Sequence, residues 1–305
     1  MASGSKKVIY AALVGNALIA VTKFIAASIT GSSAMLSEGI HSVVDTGNQV
    51  LLLYGMRRAQ LPADRRFPFG HGKEIYFWSF VVAILIFAVG SGISIYGGVR
   101  HILHPEPISN PLINYLVLGL AMIFEGAAWH FAFVEFRRVK GNWGYVEAVQ
   151  RGKDPTLFVV LFEDSAAMLG LLVAAAGIGL AQLTGVPQFD GIASVVIGLI
   201  LGATAIWLAY ETKGLLIGES ASVRVVDGIR ALVIARPEVD HLNEALTMHM
   251  GPEFILLNLS VKFRDEFTAP DIEAAVRSME KQVKGSYPEV KRIFIEAEAR
   301  DDGIG

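Results

Sequence analysis

Hydrophobic positions along this chain fall into six long runs, near Val8–Ile29, Ser33–Met56, Ile75–Val99, Leu112–Phe136, Thr156–Leu183 and Phe189–Ala209. About 20 mostly apolar residues in a helix cross the hydrocarbon core of a bilayer, so the pattern predicts six transmembrane helices. After Lys213 the pattern changes. Val223–Ala235 is amphipathic at helical spacing. Val239–Met250 and Phe254–Phe263 alternate like strands and are joined by Gly251-Pro252. Asp271–Val283 reads as a helix, with Thr268 as its cap and Pro270 near its start, and Val290–Ala297 as a final strand. The order αββαβ suits a small ferredoxin-like α+β sandwich. The expected fold is therefore a mainly α membrane protein. Residues 1–212 form a six-helix transmembrane domain, and residues 213–305 form a cytoplasmic ferredoxin-like domain.

Charge orients the helices. Lys6 and Lys7 precede the first helix. Arg57, Arg58, Arg65, Arg66 and Lys73 lie between the second and third, and Arg137, Arg138, Lys140, Arg151 and Lys153 between the fourth and fifth. Lys213 follows the sixth, whereas the other three turns hold only Arg100. By the positive-inside rule both termini are cytoplasmic. This topology fits a bacterial inner membrane, with an organelle membrane as the other setting. The start MASGSKK lacks a cleavage motif, and its apolar run is too long for a signal peptide, so it reads as an uncleaved anchor. The short turns Thr30-Gly31-Ser32 and Gly185-Val186-Pro187 make their flanking helices antiparallel neighbours. Gly90, Ser91, Gly92 and Ser94 in the third helix predict close helix packing.

Composition agrees and narrows the classes. Apolar residues make up 53% of the chain and charged ones 18%, below the roughly 25% of soluble domains. A net charge of -3 gives no footing for nucleic acid. With no Cys there is no disulfide framework, thiolate ligand or Cys nucleophile. HExxH and GxSxG motifs are missing too, so the chain does not read as an enzyme, and no cofactor is expected.

The chemistry sits inside the apolar runs. Glu38, His41 and Asp45 occupy i, i+3 and i+7 of the second helix and share one face. An ionisable group near the centre of a membrane helix costs roughly 2.5 kcal/mol or more, and persists where it pairs, meets water or holds an ion. His41 and Asp45, one turn apart, have a metal-ligand spacing. A polar pair bonded to a neighbouring helix is the plainer account, but a second acidic stretch, Glu163-Asp164 in the fifth helix, argues for an ion shared between the two helices. Adjacent helical residues point about 100° apart, so one of the two acids faces the ion. Asp164 is assigned as the ligand, and Glu163 as its support or a proton carrier.

Other polar residues have weaker claims. Glu38 suits either the ion path or a structural bond. Asn48 and Gln49 offer amide oxygens or bonds across helices. Glu125 and His130 read as packing or pathway residues, Lys23 as a snorkelling side chain, and Asp190 as a cap at the start of the sixth helix. In the tail, His241, His249, Glu296 and Glu298 suggest a weak metal site or, preferably, a solvated strand face.

Three segments, SGSSAMLSEGIHSVVDTGNQ, PADRRFPFGHGKE and FDGIASVVIGLILG, together resemble the cation diffusion facilitator family of metal transporters. DPTLFVVLFEDSAAMLG is most similar to the zinc transporter nine branch. The resemblance implies an ion site between the second and fifth helices, with a His-or-Asp-x-x-x-Asp motif on each. On this chain the motifs fall on His41 and Asp45, and on Val160 and Asp164. Val160 cannot ligate, so Glu163, water or another group completes the shell. Two C-terminal positions that carry His in zinc-exporting relatives fall on Asn243 and Asn258, which lowers the expectation of the same metal site there. The resemblance further implies a homodimer with Phe67–Lys73 near its interface.

The expected function is a secondary active transporter that exports a divalent cation from the cytoplasm in exchange for protons. Its partners are the metal ion, protons, membrane lipid and a second copy of the chain. His with carboxylates suits zinc first, leaves manganese, iron(II) and cobalt open, and disfavours magnesium and calcium. The alternative is a metal-responsive membrane scaffold or sensor that binds the ion without moving it.

Overall fold

The computed structural model describes residues 3–106, 110–141, 144, 145, 148 and 155–299. Long helices dominate: α1 (Ser3–Thr30), α2 (Ser33–Ala59), α3 (Glu74–Leu103), α4 (Pro111–Lys140), α5 (Pro155–Thr184) and α6 (Gln188–Ile217). Among the described residues, α3, α4, α6 and the Phe158–Thr184 part of α5 are long and apolar enough to cross a membrane. In α1 the described stretch Asn16–Thr30 is apolar as well. Helix α2 is long but less apolar, and the reason is its inward face. Glu38, His41, Asp45, Asn48 and Gln49 are buried on that face, while Leu36, Val43 and Val50 stand exposed on the other. Polar side chains turned inward and apolar ones outward are what a lipid solvent demands.

Two glycines make the tight reversals. Gly31 and Gly185 adopt φ of 72° and 70°, the left-handed conformation that ends a helix at little steric cost only for glycine. The second half of α3 packs on α6 through small residues. A Cβ at Gly98 would lie 2.7 Å from the Gly191 carbonyl oxygen, and one at Gly198 would lie 3.0 Å from that of Ser91. The small residues of the third helix thus permit close approach, as expected. Within α3, residues Ile86–Ser91 form a π-helical turn, which inserts an extra residue into the helical repeat.

Asp190 corrects an expectation. It sits in the first turn of α6 but caps α2. Its carboxylate accepts hydrogen bonds from Ser32 Oγ (2.6 Å), Ser33 N (2.5 Å) and Ala34 N (3.2 Å). The free N–H groups that open α2 attract this buried anion. Further along the same helices Ser37 and Ser194 share a hydrogen bond, and Ser194 Oγ donates to the Ser94 carbonyl at 3.2 Å.

Among the described residues, 58–74 and 214–299 form a second compact unit. It contains α7 (Val223–Ile234), β1 (Val239–Gly251), β2 (Phe254–Phe263), α8 (Ala269–Ser286) and β3 (Val290–Ala297). The sheet order is β1-β2-β3, with β1 and β2 antiparallel and β2 and β3 parallel. The parallel pair needs a crossover, and α8 supplies it. Ile229, Val233, Leu257, Leu259, Met279 and Val283 fill the core between the helices and the sheet. Asp271 accepts from Thr268 N (3.0 Å) and Thr268 Oγ1 (2.5 Å) at the start of α8. In the 58–74 segment, Asp64 accepts from the amides of Phe67 (2.7 Å) and Arg66 (2.8 Å), and the Phe67 bond first, with the neighbouring His71 next, lowers its carboxyl below the usual range. His71 lies 3.1 Å from Asp64 and 3.3 Å from Glu74, and Arg58 pairs with Glu74 at 2.7 Å.

The tail histidines do not join an acidic cluster among the described residues. His249 is buried with Nδ1 3.4 Å from the Gly251 carbonyl oxygen. Ser260 donates to Glu298, and Asn243 donates to Ser260 Oγ and the Ala299 carbonyl, both at 3.0 Å.

Candidate metal centre

Among the described residues of the first unit, the inward face of α2 carries the densest set of unused donor atoms. His41 Nδ1 lies 3.2 Å from Asp45 Oδ1, one turn on. Neither ring nitrogen of His41 is hydrogen-bonded, and Asp45 Oδ1, Asn48 Oδ1 and Gln49 Oε1 are equally buried and unbonded. Buried polar atoms are nearly always bonded, so a run of bare nitrogens and oxygens on successive turns is a place for water or an ion. Imidazole nitrogen with carboxylate and amide oxygens is a donor set for a divalent cation of borderline softness.

Helix α5 meets this face. Glu163 is 3% exposed. Asn48 Nδ2 donates to its Oε1 at 2.5 Å, and its carboxyl lies within electrostatic reach of Asp45. Asp164, on the next position around the helix, is half-buried and within electrostatic reach of Asp45 and Glu163. The structure therefore brings His41, Asp45 and Glu163 to one seam, with Asp164 at its side. As they stand, no three His, Cys, Asp or Glu side chains among the described residues converge into a closed shell. Small residues at Ala167, Gly170 and Ala174 continue the buried face of α5 beyond Glu163.

A second polar group adjoins the seam. Lys23 is fully buried, with its ammonium 2.7 Å from Glu125 Oε1, 2.9 Å from Ser42 Oγ and 3.1 Å from Glu38 Oε2. Lys23 is thus no snorkelling residue, because two carboxylates at its own depth attract it more than a distant interface does. The signal in the sequence was Glu38 and Glu125, two acids at membrane depth in need of a cation. His130, by contrast, is exposed and joins neither group.

Comparison with known proteins agrees with this architecture. The model of the cation efflux transmembrane domain matches residues 9–217. A frog (Xenopus laevis) protein named proton-coupled zinc antiporter SLC30A9, mitochondrial, is 32% identical over 96% of this chain and 59% of its own length. The human protein of that name is 34% identical over 85% of this chain and 46% of its own. Metal tolerance protein C4 of Arabidopsis thaliana is 31% identical over 86% and 58%. The chain thus spans about half to three-fifths of the length of these relatives. With the family model covering most of the chain, the protein belongs to the cation efflux, or cation diffusion facilitator, family of transporters, near its zinc transporter nine branch.

Proposed function

We propose that this protein moves a divalent cation, zinc first, out of the cytoplasm in exchange for protons. The observation that carries the reading is the seam of unbonded donor atoms on α2, His41, Asp45, Asn48 and Gln49, facing the acids of α5. Asp45, Asp164 and Glu163 supply carboxylate oxygens to the ion, and neutral His41 contributes nitrogen. Glu163 fills the place that Val160 cannot. Ligands bind metal only when deprotonated, so arrival of protons on the seam and release of the ion are linked. The names of the frog and human relatives, which state proton-coupled zinc antiport, support the same exchange.

All six long helices cross the membrane in this reading, with the basic connections and both termini in the cytoplasm. The polar face of α2 is sheltered from lipid by its neighbours, which lets a less apolar helix span. The α7-β1-β2-α8-β3 unit is read as a ferredoxin-like cytoplasmic domain, and its two copies pair in a homodimer. Residues 1–212 and 213–305 are the proposed domains. A bacterial inner membrane suits this topology, and the word mitochondrial in two relatives' names keeps an organelle membrane beside it.

Proteoliposomes loaded with a zinc-sensitive dye test the proposal. An inward zinc gradient against a proton gradient gives saturable uptake in the wild type. Asp45→Ala and Asp164→Ala abolish it while leaving a monodisperse, folded protein. Wild-type uptake in both variants rejects this site, and zinc binding without uptake in the wild type selects the scaffold instead.

A further inference from the structure

The second polar group has the form of an occupied cation site. An ammonium carries three protons, and Lys23 spends them on three oxygens from two other helices, Glu38 Oε2, Ser42 Oγ and Glu125 Oε1. The positive charge faces two carboxylates, and each has a second oxygen that is buried and unbonded, Glu38 Oε1 and Glu125 Oε2. Glu38 Oε1 lies against the backbone of Gly170 on α5, where a Cβ would collide with it. Helices α1, α2, α4 and α5 therefore all meet at this point. The group also adjoins the metal seam, since Ser42 follows His41 and Glu38 lies one turn nearer the start of α2.

We propose that Lys23 is a tethered cation that fills a second carboxylate site, formed by Glu38, Glu125 and Ser42, between the His41–Asp45 seam and the Gly31 turn. The proposal rests on the reading of that seam as the ion site. A divalent ion that leaves the seam toward the Gly31 turn meets an ammonium already seated on the next pair of acids. It displaces Lys23 rather than entering an open site, so the path holds one metal ion at a time. Lys23 in this role is a positioning residue, and removing its charge converts its seat into a metal site.

The experiment measures zinc stoichiometry on the full chain in detergent, by equilibrium binding of radioactive zinc. In the wild type one ion binds per chain, and Lys23→Gln raises this to two. In an Asp45→Asn/Glu163→Gln/Asp164→Asn background, which lacks the seam's acids, Lys23→Gln gains one ion, and adding Glu38→Gln/Glu125→Gln removes it. If the parent binds no zinc, the seam reading fails, while a gain on Lys23→Gln still upholds the tethered cation. Lys23→Gln and Lys23→Met chains that bind no more zinc than their parents overturn the proposal. Removing one member of a buried ion group threatens folding, whereas neutralising all three together is tolerated. Lys23→Met/Glu38→Gln/Glu125→Gln is therefore the folding control. Where Lys23→Gln is unstable, zinc raises its melting temperature if the proposal holds, and the absence of any zinc-dependent rise overturns it.

Discussion

Asn48 on α2 donates its amide to Glu163 on α5 at 2.5 Å, and this bond fixes the one acid of α5 that is fully turned toward the seam. Its own amide oxygen remains unbonded. A supporting partner of this kind typically sets affinity by 10- to 100-fold. Asn48→Leu should therefore weaken zinc binding by about 10- to 100-fold, read by titration calorimetry, without loss of fold. An affinity within about twofold of wild type would mean that Glu163 needs no such anchor.

His41 gives the seam its nitrogen. His41→Asp makes the donor set all-oxygen, which suits harder ions. Transport in the dye assay should shift from zinc toward manganese, and an unchanged ion preference would remove His41 from the ligand set.

Asp190 holds the start of α2 through three hydrogen bonds from within α6. Losing a cap costs about 1 to 2 kcal/mol, and leaving buried donors bare adds to this. Asp190→Ala should lower the melting temperature in detergent by about 2 to 8 °C, on a scale of 2 to 4 °C per kcal/mol. A drop confined to about 1 °C would mean that water replaces the carboxylate without penalty.

The second unit carries a pH-dependent cap. Bonds from Thr268 hold the Asp271 carboxyl below its ordinary value of 3.8. A lowered folded value means that the cap's contribution is present above the unfolded value and is lost as pH falls through the folded one. Amide exchange at residues 271–274 of the full chain should accelerate below about pH 4, after correction for intrinsic rates. Asp271→Asn should abolish that pH dependence, and a variant that retains it would place the effect elsewhere.

Legibility differed between the two units for a physical reason. In the tail, alternation and turn chemistry are local signals, so β2 and β3 have the bounds the sequence predicts, and β1 differs by one residue. Along α2, helical spacing alone put Glu38, His41 and Asp45 on one face, and all three are buried together. The choice between Glu163 and Asp164 was not local, because adjacent residues carry the same chemistry. Only the packing of α5 on α2 buries the first and leaves the second half-exposed. The role of Lys23 is hidden from the sequence for a related cause. Its partners lie 15 and 102 residues away on two other helices, beyond the reach of any periodicity.

The π-helical turn at Ile86–Ser91 sets the phase of everything after it in α3. One inserted residue rotates the following helix by about 100° relative to an unbroken one. Ser94, Gly98 and His101 face inward only because of that rotation. Deleting a single residue there would leave a more regular helix that presents the wrong side to α6, with bulk where Gly98 now admits the backbone of Gly191. The irregularity is thus a spacer in the angular sense, and the tight seam between these two helices exists only while it is kept.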